Sequence, residues 1–99
     1  MLDLPGLWRA QQQATFPLSA LKWVSIDARL GALLTASLRT DGIPRALPPD
    51  QREELKKALA RAVDVLGQDL EAEARAYFER LVVLGKAVAG GPGEGPPAP

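Results

Sequence analysis

The side chains able to do chemistry in this chain are carboxylates, guanidiniums, ammoniums and hydroxyls, because it has no histidine and no cysteine. That removes the commonest zinc ligands, the usual general base near neutral pH and any disulfide. Asp64, Asp69, Glu71 and Glu73 are close in sequence, and on a helix Asp69 and Glu73 share a face, the minimum for carboxylate acid–base work or a weak divalent-cation site. A solvated acidic face is the simpler reading. Arg52, Lys56, Lys57 and Arg61 form the one basic concentration, and a helix carrying them could meet nucleic-acid phosphates. Glu53 precedes Lys57, and Glu71 precedes Arg75, by four residues, which reads as the ion pairing of an exposed helix. No nucleophile motif, phosphate-binding loop or dinucleotide fingerprint occurs, since the glycines of the C-terminal end neither follow a strand nor open a helix. The expectation is a protein that is not an enzyme, with no catalytic residues, no metal site and no cofactor.

Composition frames what must position these groups. A chain of 99 residues forms one small domain, for which surface buried against a partner matters to stability. The 12 basic and 12 acidic residues cancel, so the whole-chain charge does not favour nucleic acid or an anionic membrane. The opening residues lack the basic and apolar regions of a signal peptide, and no apolar run is long enough to span a bilayer, which leads to the expectation of a cytoplasmic protein with no membrane partner. The absence of asparagine and the excess of arginine over lysine give a thermophile-like composition, which a GC-rich genome would also produce.

The clearest periodicity runs from Pro49 to Ala89. Asp50, Glu53 and Glu54 place negative charge where exposed N–H groups at a helix start favour it. Apolar side chains then recur at Leu55, Leu59, Ala62, Leu66, Leu70, Ala74, Tyr77, Leu81, Leu84 and Val88, nine steps over 33 residues. That spacing keeps them on one face of a nearly straight helix. Unbroken, such a helix would be ~60 Å long, against a radius of gyration near ~13 Å for a compact chain of this size. Either a second chain covers the stripe, or residues 49–89 fold back at Gly67-Gln68 into a helical hairpin. Gly67 followed by Asp69, a residue able to cap a new helix, favours the break, and the in-phase stripe favours continuity.

Upstream, Asp3 can cap a short helix that Pro5 begins and Thr15-Phe16-Pro17 ends, with Trp8 and Phe16 as core anchors. Between them lies the ambiguous stretch. Val24 to Leu30 and Leu34 to Arg39 alternate apolar and polar, and pairing Leu30 with Leu34, Ala28 with Ala36 and Ile26 with Leu38 sorts both faces of a β-hairpin over about 22–40. A helix also fits, since Trp23, Ile26, Leu30, Leu33, Leu34 and Leu38 fall on one helical face. Asp27 inside that stripe, and four of the six serines and threonines lying between Ser25 and Thr40, argue for the hairpin. The expected fold is therefore α+β, with a short N-terminal helix, a hairpin and a long C-terminal helix or helical hairpin over about 49–89. An all-α bundle is the alternative.

Residues 1–89 read as a single domain. Residues 90–99 read as a Gly/Pro-rich tail expected to be disordered, in which Pro96 to Pro99 has the spacing of a minimal PxxP ligand. Gln11-Gln12-Gln13, Val24-Ser25-Ile26 and Pro49-Asp50-Gln51-Arg52-Glu53-Glu54-Leu55, set in this helix–hairpin–helix layout, loosely resemble the YbaB-type nucleoid-associated proteins. That resemblance implies dimerisation and DNA binding. No functional residue carries over from it, because the chain lacks the long first helix of that family. The functional expectation is a homo-oligomerising or partner-binding module, a homodimer or a complex with another protein. Its interface would be Leu55, Leu59, Leu66, Leu70, Tyr77, Leu81 and Leu84. The alternative is sequence-nonspecific nucleic-acid binding through Arg52, Lys56, Lys57 and Arg61.

Overall fold

The computed structural model describes residues 3–90. In chain order these form α1 (Leu4–Gln13), a 3-10 segment (Leu18–Trp23), α2 (Val24–Leu38), α3 (Pro49–Leu66) and α4 (Ala72–Gly90), with no strand among the described residues. The expected tail lies, from Gly91 onward, outside the described residues, and the PxxP spacing with it. Antiparallel α3 and α4 make the most extensive helix pair, α2 packs on both, and α1 packs on α4. The core runs between them, with Leu30, Leu34, Leu38, Leu55, Phe78, Leu81 and Leu84 closed off from solvent. No helix among the described residues is long and apolar enough to cross a membrane.

The α+β expectation is corrected to all-α, because residues 22–40 form the end of the 3-10 segment and α2, and there is no hairpin. The layout on which the nucleoid-protein resemblance rested goes with it. The polar residues that argued for a strand each find a partner that a helix supplies. Asp27 lies at the edge of the apolar stripe and accepts a hydrogen bond from the Tyr77 hydroxyl of α4 at 2.7 Å. Thr35 turns its hydroxyl back onto the Gly31 carbonyl one turn earlier at 2.8 Å, which removes its competition with the helix ladder. Ser37 is buried, donates to the Arg45 carbonyl at 2.6 Å and accepts from the Arg45 N–H at 2.9 Å, tying the returning loop to α2. With those groups satisfied, the contiguous stripe of Leu30, Leu33, Leu34 and Leu38 decides the outcome.

The C-terminal region breaks where the glycine allows it. α3 ends at Leu66, the N–H groups of Gly67 and Gln68 close the last turn onto Asp64 and Val65, and α4 begins at Ala72. Arg75 reaches back from α4 and donates to the Leu66 and Gln68 carbonyls at 3.1 and 3.2 Å, neutralising acceptors that a helix end leaves open. The helix start expected at Asp3 is present, with the Asp3 carboxylate accepting from the Gly6 N–H at 3.1 Å and Pro5 in the first turn. α1 is then fixed to the corner after α2. The Trp8 indole N–H donates to the Arg39 carbonyl at 2.7 Å, and Gly42, at φ +74, runs so close to α1 that a Cβ there would come within 2.6 Å of the Pro5 Cα.

Candidate interaction surface

Folding back changes where the sequence-predicted interface residues lie. Leu55, Tyr77, Leu81 and Leu84 are at most 7% exposed within the single chain, and Leu59, Leu66 and Leu70 are half-buried against the same core. The stripe is therefore the seam along which α3 and α4 meet each other and α2. The radius of gyration, 13.2 Å, is the compact value that an unbroken helix would have exceeded.

The basic residues do not converge either. Arg52 and Arg61 are nine residues apart, two and a half turns, and so fall on opposite sides of α3. Arg52 and Lys56 lie beside Pro49 and Ala89, on the flank toward α4, with the Lys56 ammonium 3.7 Å from Glu53. Arg61 borders a cleft of about 520 Å³ between α2 and α3, across which Arg29 and Glu54 approach to 3.9 Å. Lys57 is exposed between the two flanks. Asp64, Asp69, Glu71 and Glu73 are all exposed, and among the described residues no group of three or more potential ligands comes together to hold a metal ion.

What the core leaves uncovered lies elsewhere. Leu18, Leu21 and Val24 are 78%, 55% and 46% exposed within one short segment, and Ile43 and Val63 are exposed singly at 56% and 43%. Along this segment Pro17 and Ala20 are buried and Trp23 is half-buried, whereas Leu18, Leu21 and Val24 are exposed. Pro17 starts the segment without a side-chain cap, and the backbone kinks at Ala20 (φ −110, ψ 18), so the path is set by which residues pack inward. The segment from Pro17 to Trp23 carries neither a full helix period nor a strand period, so its residues do not mark it as a surface. The three-residue spacing of Leu18, Leu21 and Val24 was the signal available.

Trp23 stands at the inner edge of this row, between two clefts. One, about 210 Å³, reaches Arg61, Asp64 and Val65 near the end of α3, and the other, about 350 Å³, is walled by Lys22 on one side and by Asp69, Leu70 and Glu71 of the α3–α4 connection on the other. The Lys22 ammonium lies 4.5 Å over the Trp23 ring, a cation–π contact. Among the described residues neither Asp69 nor Glu71 has a salt-bridge partner.

A separate polar chain joins α1, α2 and α4 on the other side of α2. Arg80 donates to the Gln11 amide oxygen at 3.0 Å, and Tyr77 donates to Asp27. Burial pushes the Asp27 carboxyl above its ordinary range against the opposing pull of the Tyr77 hydrogen bond. Burial, reinforced by the Asp27 carboxylate, holds the Tyr77 phenol well above its own, so it stays a donor across the physiological range. The arrangement fixes helix positions and presents no activated nucleophile. Comparison with protein-family models, curated proteins and solved structures finds no match for this chain.

Proposed function

We propose that this protein is a partner-binding module whose docking surface is the exposed apolar row Leu18, Leu21 and Val24 with the adjoining Trp23. The observation that carries the reading is that these three large apolar side chains stay open to solvent on one edge after the chain has closed its own core. Three such groups exposed within the one short segment from Leu18 to Val24 exceed the singly scattered apolar residues of an ordinary surface and resemble the anchors of a recognition site. The stripe from Leu55 to Leu84 supports the function indirectly, by making the rigid body on which the row is presented. The partner is a second copy or another protein, and sedimentation at tens of micromolar separates the two, with Leu18→Ser/Leu21→Ser reducing any self-associated species to monomer. A wild type that stays monomeric, and whose tryptophan emission does not respond to an amphipathic peptide with an apolar face, overturns the reading.

Sequence-nonspecific nucleic-acid binding draws no support from the split basic residues. A gel-shift titration at low salt tests it, with no shift expected, and binding that weakens steeply with salt would restore it.

A further inference from the structure

We infer that the cleft between α1, α2 and α4 binds a small linear primary amine in its ammonium form, with the charged head on Asp27 and the alkyl chain lying over Gly31 toward Thr35. This cleft, about 230 Å³, shares no lining residue with the apolar row, and Asp27 is the one charged side chain that lines it among the described residues. The Asp27 carboxylate is half-buried and accepts from the Tyr77 hydroxyl through Oδ1 at 2.7 Å, while no cation pairs with it among the described residues. Arg80, one turn along α4 from Tyr77, is engaged by the Gln11 amide oxygen at 3.0 Å and does not line the cleft. Burial and the Tyr77 hydrogen bond are what act on the Asp27 carboxyl, so no basic side chain compensates it. A half-buried charge without a counterion is costly, and an ammonium ion would offset that cost through a charge-assisted hydrogen bond to Oδ2.

The floor of the cleft sets the shape of the ligand. Asp27, Gly31 and Thr35 follow one another at four-residue intervals along one face of α2, about 12 Å from end to end. Glycine is unfavourable in a helix interior, yet a Cβ at Gly31 would meet no atom within 4 Å, so packing does not require it there. Its bare backbone keeps the middle of the cleft open. At the far end the Thr35 hydroxyl donates to the Gly31 carbonyl and Gln12 is exposed, so nothing charged faces the tail of the chain. The cleft therefore suits a cation at one end only. A carboxylate would meet like charge at Asp27, and a second ammonium would find no counterion at Thr35.

The test titrates the full chain with hexylammonium chloride, hexanol and sodium hexanoate at one salt concentration, with backbone amide shifts read by NMR. Hexylammonium should shift the amides from Asp27 to Thr35 and bind at least about tenfold tighter than hexanol, with hexanoate weaker still. Asp27→Asn, which keeps the side-chain shape and an acceptor for Tyr77, should bring hexylammonium down to the level of hexanol. Gly31→Leu should weaken hexylammonium and hexanol alike while the thermal midpoint holds or rises, because leucine favours a helix and the position is open. Circular dichroism confirms that each variant keeps its helices. Leu18→Ser/Leu21→Ser should leave binding unchanged, so failure at this cleft is separate from failure of the docking surface proposed above. Equal affinity for hexylammonium and hexanol, an amine preference that survives Asp27→Asn, or binding indifferent to Gly31→Leu overturns the inference. Shifts that centre on Leu18 to Val24 and vanish in Leu18→Ser/Leu21→Ser overturn it as well, by assigning the alkyl chain to the apolar row, and so does the absence of any shift at tens of millimolar hexylammonium.

Discussion

The α3–α4 hairpin and the path from Pro17 to Leu47 are held together by different physics. In the hairpin, apolar faces meet along their whole length and the polar work is confined to the turn, where Arg75 closes the end of α3. In the upstream path, the apolar face of α2 is continuous, but its placement depends on single hydrogen bonds to distant points, from Tyr77 to Asp27, from Trp8 to Arg39 and between Ser37 and Arg45. The first region depends little on single polar groups and is vulnerable to lost volume. The second is vulnerable at individual polar atoms. The difference teaches that one fold can be specified by periodicity in one half and by long-range partners in the other.

The largest effect should come from the seam. Phe78 is fully buried and meets the rings of Phe16 and Tyr77 edge-on at 6.2 and 5.7 Å, so Phe78→Ala should destabilise by about 3–5 kcal/mol through lost transfer energy and an unfilled cavity. Urea unfolding followed by circular dichroism measures it, and a loss under about 1 kcal/mol would mean the aromatic cluster is not part of the cooperative core. In the other region Ser37→Ala removes only an oxygen, yet it leaves the Arg45 N–H and carbonyl without their partner, and about 1–3 kcal/mol should go. If Ser37→Ala proves neutral, water reaches the Arg45 backbone and the contrast between the regions narrows.

Acid titration sharpens the contrast further, because two carboxylates of the upstream path work in opposite directions. Folding raises the Asp27 pKa, so the folded chain takes up this proton before the unfolded chain does, and the stability ascribed to Asp27 increases as pH falls through its folded pKa. Folding lowers the Asp41 pKa, chiefly through its 2.6 and 2.9 Å hydrogen bonds from Arg45, so the contribution of Asp41 is present at neutral pH and is lost on acidification below the ordinary carboxylate range. Relative to Asp27→Asn the wild type should therefore gain stability between neutral pH and about pH 4, and relative to Asp41→Asn it should lose stability at still lower pH. Guanidinium unfolding at a series of pH values reads both, and parallel pH profiles for wild type and Asp27→Asn would contradict the first. Asp41 is exposed, so its effect should be the smaller. The least effect belongs to Leu18→Ser/Leu21→Ser, which should stay within about 0.5 kcal/mol of wild type because both side chains are solvated. A larger loss in thermal unfolding would mean that the row belongs to the fold and is not free for docking.

What could be read from the residues follows the same division. Asp3 with Pro5, and the stripe from Leu55 to Val88, are local signals, and α1, α3 and α4 appear where those signals place them. The break at Gly67 was balanced in the sequence because the stripe keeps phase through a connection of five residues, and it took Arg75 to satisfy the broken end. α2 was misread because alternation over short stretches satisfies both periods, and the partners that resolve Asp27 and Ser37 lie 50 and 8 residues away. The interaction surface was hidden by the same limitation. Exposure of Leu18, Leu21 and Val24 is a property of what does not pack over them, and the seven residues expected at an interface were the ones the chain itself needed.

The close approach of Gly42 to Pro5 has a consequence for how the molecule assembles in time. α2, α3 and α4 are neighbours along the chain and can associate through short connections, which favours rapid collapse. α1 seats only through partners distant in sequence, because it packs on α4 and is tied to Arg39, Gly42 and Arg80. Its peptide hydrogens should exchange by opening of that helix alone, well before those of the other three.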